Sequence, residues 1–436
     1  MRLRDRLAQL EAPALADTHA LHDAFADATE SRGRSQRIAH LRSLIGEVVA
    51  RDRGRSRAAA ISPRAPGLLP AGAQRDTPAG PLHLIERWLE PHHQHGRIRV
   101  GDALQVDPSL LARLALDPML ERVDLARMLI IDTETTGLAG GTGTVPFLIG
   151  LGLFEDGALK LEQLFLSNLG GEAPLLGYLA QRIAQASCLV SYNGKAFDWP
   201  LLRARFVINR VALPEAPPHL DLLHCTRRVL KPRMQSVRLT EVEQTLLGFH
   251  RQDDIDGAEI PGLYLRYLRG EDPRTLLPVL THNEHDLVAL AAILWRLCAH
   301  FAQVEPADDP RDHLAYARVA LRAQDLERAH VFAVAAAAGS DTAELTHGAL
   351  LLSAAVERRR GDPHAAADAW QAALAAARDE TAIAQAHLAL SRLYERQLKD
   401  LRRAHHHARF TLPAEAAEMH GRRLGRLRRR LERLSD

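Results

Sequence analysis

Three short strings, far apart in a chain of 436 residues, gather carboxylates in ways that could do chemistry. The first is Asp132-Thr133-Glu134-Thr135-Thr136-Gly137, which follows the apolar run Met128-Leu129-Ile130-Ile131. Residues two apart on a strand project from one face, so Asp132 and Glu134 present two carboxylates side by side while Thr133 points away. Two such groups repel at neutral pH, and the cheapest remedies are a shared proton or a bound divalent cation. Oxygen ligands favour magnesium or manganese. Taken alone, the pair fits a helix cap or a solvent-facing strand end equally well.

The second string is Ser191-Tyr192-Asn193-Gly194-Lys195-Ala196-Phe197-Asp198-Trp199-Pro200. Asp198 falls at the start of an expected helix just after a strand, a place where aspartate serves as an N-cap. A dedicated cap would not need Asn193 and Phe197 around it. The third is Thr281-His282-Asn283-Glu284-His285-Asp286, in a helical pattern. His282 and Asp286 are four apart and share a face one turn apart, with Asn283 close to it, whereas His285 faces another side.

In this order the strings resemble the DEDD (DnaQ-like) superfamily of ribonuclease-H-like 3′–5′ exonucleases, relatives of polymerase proofreading domains. The likeness covers about residues 126–300. Asp132 and Glu134 match its first motif, Asp198 its second and Asp286 its third. Within that superfamily the chain is most similar to bacterial ribonuclease-H-like proteins that carry tetratricopeptide-type repeats behind the nuclease domain, and Asp221-Leu222-Leu223-His224 and Asp254-Ile255-Asp256-Gly257-Ala258-Glu259-Ile260-Pro261 also look like that group.

The resemblance implies hydrolysis of phosphodiester bonds of DNA or RNA with two Mg²⁺ or Mn²⁺ ions, held by Asp132, Glu134, Asp198 and Asp286. It implies that His282 orients or deprotonates the attacking water, a role suited to a side chain that titrates near neutrality. The histidine subtype of the superfamily places this residue five before the last aspartate and the tyrosine subtype four before; here a histidine stands in the tyrosine's register. Candidate substrate contacts are Thr133, Asn193, Lys195, Phe197 and Asn283, with Tyr192 and Phe197 as aromatics that could stack on bases. The arginines at 203, 205, 227, 228, 233 and 238 and Lys231 could follow a phosphate backbone, though each is individually a common exposed helix charge.

The elements that must position these groups are legible as pattern. Apolar runs rich in β-formers predict strands over Met128–Asp132, Thr144–Phe154, Leu159–Leu166 and Cys188–Tyr192, and helical spacing predicts helices over Glu172–Gln185 and Phe197–Val211. Strands that give way to alternating helix and strand predict an α/β domain with a mixed, ribonuclease-H-like sheet flanked by helices, over residues 126–302. From about Pro306 only Ala- and Leu-rich helical pattern remains. Asp325, Asp362 and Asp400 recur there at intervals of 37 and 38 residues, near the ~34-residue period of helix-turn-helix repeats. The middle copy, with Ala366, Trp370 and Ala373, resembles a tetratricopeptide repeat; residues 306–436 are therefore expected as an all-α repeat domain that binds a protein partner or guides the substrate, with an irregular bundle as the alternative.

Residues 1–52 read as short amphipathic helices, 53–80 as a disordered linker interrupted by Pro63, Pro66, Pro70 and Pro78, and 81–125 as a lead-in segment. His92, His93 and His95 in that segment are expected on a surface turn and not on a metal. The net charge of +2 hides a cluster of seven arginines between Arg422 and Arg433, which reads either as a phosphate-binding tail or as a solvated helix face. Cys188, Cys225 and Cys298 fit no disulfide framework or zinc clip. No run approaches the ~18 uninterrupted apolar residues of a membrane span, and the first residues lack a secretory pattern, so a cytoplasmic protein without membrane contact is expected. Gly137–Gly143 is expected as a turn between strands rather than a dinucleotide loop, and Asp132-x-Glu134 does not fit phosphatases that use Asp-x-Asp. Two further readings stay open: a nucleic-acid-binding or scaffold protein with a weak or inactive nuclease domain, and a structure-specific endonuclease.

Overall fold

The computed structural model describes residues 69, 71–137, 143–305 and 308–435. The expected N-terminal helices, and the expected linker up to residue 68, lie outside these. The expected linker and lead-in do contribute structure further on. Strand β1 (Ala73–Thr77) pairs antiparallel with β2 (Gly80–Leu89), and β2 pairs with β7 (Ala158–Phe165). Pro78 and Gly80, which read as breakers, sit in the hairpin turn, closed by the Thr77 hydroxyl donating to the Gly80 carbonyl at 2.7 Å. This corrects the expectation of disorder up to residue 80: Leu82 and Leu84 bury themselves and carry the hairpin into the sheet.

The seven-stranded sheet runs β1-β2-β7-β6-β5-β8-β9, with β5 at Met128–Thr135, β6 at Pro146–Glu155, β8 at Cys188–Ser191 and β9 at His219–Asp221. β5 pairs antiparallel with β6 and parallel with β8, and β8 pairs parallel with β9, so the sheet is mixed as its pattern predicts. β9 is too short and polar to be read from sequence. A second, small ribbon pairs β3 (Gln94–His95) with β4 (Ile98–Arg99).

Alternation along β5 divides the core in two. Met128 and Ile130 enter the cluster that contains helix α1 (Pro108–Ala115), α4 (Leu222–Leu230) and the long helix α6 (Leu277–Ala302); Leu129 and Ile131 face α2 (Glu172–Gln185), α3 (Asp198–Ile208) and α5 (Ile260–Leu268). A strand buried on both faces needs apolar residues at every position, which explains why Met128–Ile131 is uninterrupted while Asp132 onward is not. Gly150, opposite Asp132 on β6, is demanded by close approach: a Cβ there would lie 2.2 Å from the Asn283 Oδ1 on α6. The missing side chain lets α6 press its polar residues onto the end of the sheet.

α6, with the turn before it (Pro273–Ala302), is the one segment among the described residues whose length and composition would let it cross a membrane, with mean hydropathy 1.3 over 18 residues. Its apolarity is interrupted by single polar residues, so counting uninterrupted apolar runs missed it. Two thirds of that window is buried against the sheet and the neighbouring helices, as a core helix would be.

Seven helices follow: α7 (Pro310–Arg322), α8 (Leu326–Gly339), α9 (Ala343–Arg360), α10 (Pro363–Ala376), α11 (Glu380–Leu393), α12 (Leu401–Ala408) and α13 (Ala417–Ser435). Each packs on the next in sequence. The recurring aspartates have a structural reason. Asp325, Asp362 and Asp400 are N-caps of α8, α10 and α12, each accepting from backbone N–H groups of the first turn, and each follows a residue with positive φ: Gln324 at 61°, Gly361 at 84° and Lys399 at 58°. One left-handed residue stops the first helix and the aspartate starts the second, so three hairpins share one turn. The helical region docks on the α/β unit without a break in the core, since Leu297 and Phe301 of α6 belong to the same cluster as Tyr316 and Phe332.

Candidate metal centre

Asp132 and Glu134 leave β5 at the point where its apolar run ends, and a register shift between Glu134 and Thr135 ends regular pairing there. Asp198 is the first residue of α3 and makes no side-chain cap. Its Oδ1 instead accepts from the Thr133 hydroxyl, reaching over from the opposite face of β5. His282 and Asp286 come from α6. One donor atom from each of Glu134, His282 and Asp286 falls within 4.8 Å of the other two.

Asp132, Asp198, His282 and Asp286 are each held through one atom, which leaves a second donor atom on each. Asn283, fully buried, accepts from the Gln163 amide at 2.9 Å and donates to Asp132 Oδ2 at 2.8 Å. The Arg251 guanidinium bonds Asp286 Oδ1 and also reaches Glu243 and Asp254. Asp254 Oδ1 lies 2.8 Å from His282 Nδ1. Such tethers fix carboxylate and imidazole orientation before any cation arrives.

The electrostatics are lopsided. Burial pushes the Asp132 carboxyl well above the usual carboxylate range, and the nearby charges of Asp286, Glu134 and Asp198 push it further against the bond from Asn283. Burial, then Asp286 and Asp198, push Glu134 up to about 8. Burial is also the main reason that Asp198 is pushed up to about 6. At neutral pH a cluster of this kind keeps protons that a divalent cation would displace.

Several sequence expectations change in detail. Asn283 was expected to touch substrate, but it is fully buried and acts on Asp132. Thr133, also expected to touch substrate, spends its hydroxyl on Asp198. Asn193 takes φ 65°, which asparagine tolerates better than most residues, and its backbone N–H donates to Asp221 at 2.8 Å. Asp221 also accepts from the Lys195 and Leu223 N–H groups, so it staples the second motif to the start of α4. Tyr192 donates to the Val237 carbonyl at 2.6 Å and packs on the core. Lys195 and Phe197 stay on the open side; Phe197 is 43% exposed beside Asp198. His285 turns toward Phe249 and His95, with 5.6 Å between the Phe249 and His285 ring centroids.

Sequence reasoning missed the supporting layer. His95 is not on a surface turn: it is buried, stacks on Phe249 and pairs with the fully buried Glu243 at 2.8 Å. Burial pushes Glu243 up to about 8 and lowers His95 to about 3. Glu243 in turn accepts from Arg251 Nε at 2.8 Å. Asp254 and Asp221 stood within strings that carried the resemblance; Arg251, a lone loop arginine, carried no signal.

Residues 129–298 match the model of the RNase_H superfamily. That places the β5–α6 unit in a ribonuclease-H-like domain, a nuclease-type fold. Over 168 residues the chain is 39% identical to the uncharacterized protein YprB of Bacillus subtilis (strain 168), in an alignment that covers 38% of this chain and 40% of that protein. The chain thus spans less than half the length of that relative. Among solved structures it is similar to the family B DNA polymerase of the hyperthermophilic archaeon Pyrobaculum calidifontis, at TM-score 0.33 and 13% identity over 53% of this chain and 29% of that one.

Proposed function

We propose that this chain is a divalent-cation-dependent nuclease that hydrolyses phosphodiester bonds of a nucleic acid as a 3′–5′ exonuclease. The observation that carries the reading is the cluster at the end of β5: Asp132, Glu134 and Asp198 are pushed toward their protonated forms by burial and by one another, while each is presented by a strand end, a helix start or a buried tether. Charges gathered at this cost are accounted for by a cation.

The donor set fits Mg²⁺ or Mn²⁺, with Asp132, Glu134, Asp198 and Asp286 as the residues that would hold the ions. When bound, they would polarise the phosphodiester and the attacking water and would stabilise the leaving 3′ oxygen. The chain's own residues supply the rest. Asn283, Thr133 and Arg251 hold the carboxylates in place. Lys195 and Phe197, exposed beside Asp198, would meet the phosphate backbone and a base of the terminal nucleotides. The three hairpins with a common turn support a tetratricopeptide-like array that binds a protein partner. A groove of about 750 Å³ lies within that array between α7 and the start of α9, lined by Arg311, Arg318, Asp341, Glu344 and His347, with Pro232 at its edge. A cytoplasmic location belongs to the same reading.

The test incubates purified protein with 5′-labelled single-stranded DNA and RNA, with and without Mn²⁺, beside an Asp132→Asn/Asp198→Asn double variant. A cation-dependent ladder lost in the variant is the expected result and names the sugar. Binding without cleavage on single-stranded and duplex substrates would move the reading to a nucleic-acid-binding scaffold.

A further inference from the structure

The two ring nitrogens of His282 stand in different surroundings. Nδ1 lies 2.8 Å from Asp254 Oδ1, and Nε2 lies 3.7 Å from Asp286 Oδ2. In the neutral ring a carboxylate on Nδ1 keeps the proton there, which leaves the lone pair on Nε2. That lone pair is turned to the carboxylates, and 3.7 Å is too long for a hydrogen bond between the two groups. Two ligands bonded to one ion at about 2.0–2.2 Å stand roughly 3–4 Å apart, and the Nε2–Oδ2 separation falls in that range. Arg251 meanwhile occupies Asp286 Oδ1, which leaves Oδ2 as the oxygen facing His282.

We propose that His282 is an inner-sphere ligand of the cation through Nε2, alongside Glu134 and Asp286, and that Asp254 is the residue that positions it. The assignment rests on the metal-centre reading above and deepens it. A histidine acting as base would also be served by a carboxylate partner; the ligand role is favoured by the 3.7 Å between Nε2 and Asp286 Oδ2, the span of two donors on one ion, and by a Glu134 donor atom in the same set. Metal-ligating histidines almost always give their other ring N–H to a carboxylate, carbonyl or water, and Asp254 is that partner here. A mixed nitrogen and oxygen set discriminates among cations, since Mg²⁺ prefers oxygen alone whereas transition ions accept imidazole. The site should bind Mn²⁺ more tightly than Mg²⁺.

The experiment titrates the metal-free full chain with Mn²⁺ and records pulsed electron paramagnetic resonance of the bound ion. Wild type is expected to show ¹⁴N modulation from a coordinated imidazole, converted to the ¹⁵N pattern by labelling with [¹⁵N]histidine. His282→Gln should lose the modulation and narrow the preference for Mn²⁺ over Mg²⁺. Asp254→Asn should weaken Mn²⁺ binding by about 10–100-fold, with Asp254→Glu restoring most of it, and circular dichroism should show each variant folded. An Mn²⁺ complex of the wild type without imidazole modulation would overturn the assignment, as would a modulation unchanged in His282→Gln. Should His282→Gln not fold, the wild-type spectrum and the Asp254 pair decide the question. Cleavage measured on the same samples separates the two readings: cleavage without imidazole modulation sinks the ligand assignment alone, and modulation without cleavage sinks the nuclease reading alone.

Discussion

Among the places where the described residues bury carboxylates near arginine, two give opposite results. Between α11 and α13, Glu395 accepts from Arg426 at 2.7 Å and from Arg430 at 2.9 Å, and Glu415 accepts from Arg423 at 2.9 Å. Both glutamates are 7% exposed. The bond from Arg426 holds Glu395 below its usual range, and Arg423 and Thr411 hold Glu415 below its own despite burial. At the end of β5, deeper desolvation sends Asp132, Glu134 and Asp198 upward. The difference lies first in desolvation and then in the charge balance: Glu395 and Glu415 each meet guanidinium groups from α13, while Arg251 is shared among Asp286, Glu243 and Asp254. A region that is balanced needs no ligand, and one that is not has a place for a cation. The arginines near the C-terminus are thereby divided, with Arg423, Arg426 and Arg430 committed to the fold rather than to phosphates.

The largest effect should come from removing the imbalance. Asp132→Asn removes a carboxyl whose charged form is disfavoured by burial and by its neighbours, so thermal unfolding of the metal-free variant should occur at or above the wild-type temperature while turnover is lost. Mn²⁺ at about 100 times its dissociation constant should stabilise the wild type by about 2.7 kcal/mol, and the variant much less. A variant that is less stable without metal yet keeps its Mn²⁺ response would break the comparison.

Next in size is the dependence on pH. Folded, Glu134 keeps its proton up to about 8, and Asp198 up to about 6, against ordinary values of 4.5 and 3.8. Between those limits the folded chain binds more protons than the unfolded one, so stability of the metal-free protein should fall as pH rises from about 4 to 8. Glu395 acts in the other direction: its contribution is present above its ordinary value and is lost as pH falls through the lowered one. Saturating Mn²⁺ should flatten the fall above pH 6, because the cation takes the place of the protons. Melting curves across this range, with and without Mn²⁺, check the slope and its sign.

Glu395→Gln tests the balanced side. It leaves Arg426 and Arg430, each nearly half exposed, without their common carboxylate. Solvent screens such pairs, so the cost should be about 1 kcal/mol, read as a lower unfolding temperature with unchanged Mn²⁺ binding.

How much of this was legible in the sequence follows from the range of the forces involved. The apolar run of β5, the carboxylates two apart at its end and the i, i+4 pair of His282 and Asp286 are local patterns, and they read correctly as a strand end and a helix face. β1 and β2 did not, because their stability comes from pairing with β7 some 80 residues away and their turn residues look like a linker's. The roles of Asn283, Thr133 and Arg251 were equally out of reach. Each depends on which groups the fold sets opposite it, and Gly150, whose lack of a side chain admits Asn283, gives no sign of that in its neighbours.

The smallest predicted effect bears on whether the helical region is a repeat array or an irregular bundle. Asp362 Oδ1 accepts from the His364 and Ala365 N–H groups at 3.0 and 2.9 Å, which satisfies two of the donors left free at the start of α10. Asp325 and Asp400 do the same kind of work on α8 and α12. Asp362→Ala should therefore cost about 1 kcal/mol, and Asp400→Ala a similar amount, with Mn²⁺ binding at the β5 cluster unchanged in both. Asp325 differs, since it also accepts from Arg113 of the α/β unit at 3.0 Å. Its alanine variant should cost more than the other two and should loosen the contact between the regions, which hydrogen exchange across α1 and α8 would report. Equal costs at the three positions would mean that the Arg113 contact adds nothing, and that the caps act only within their own hairpins.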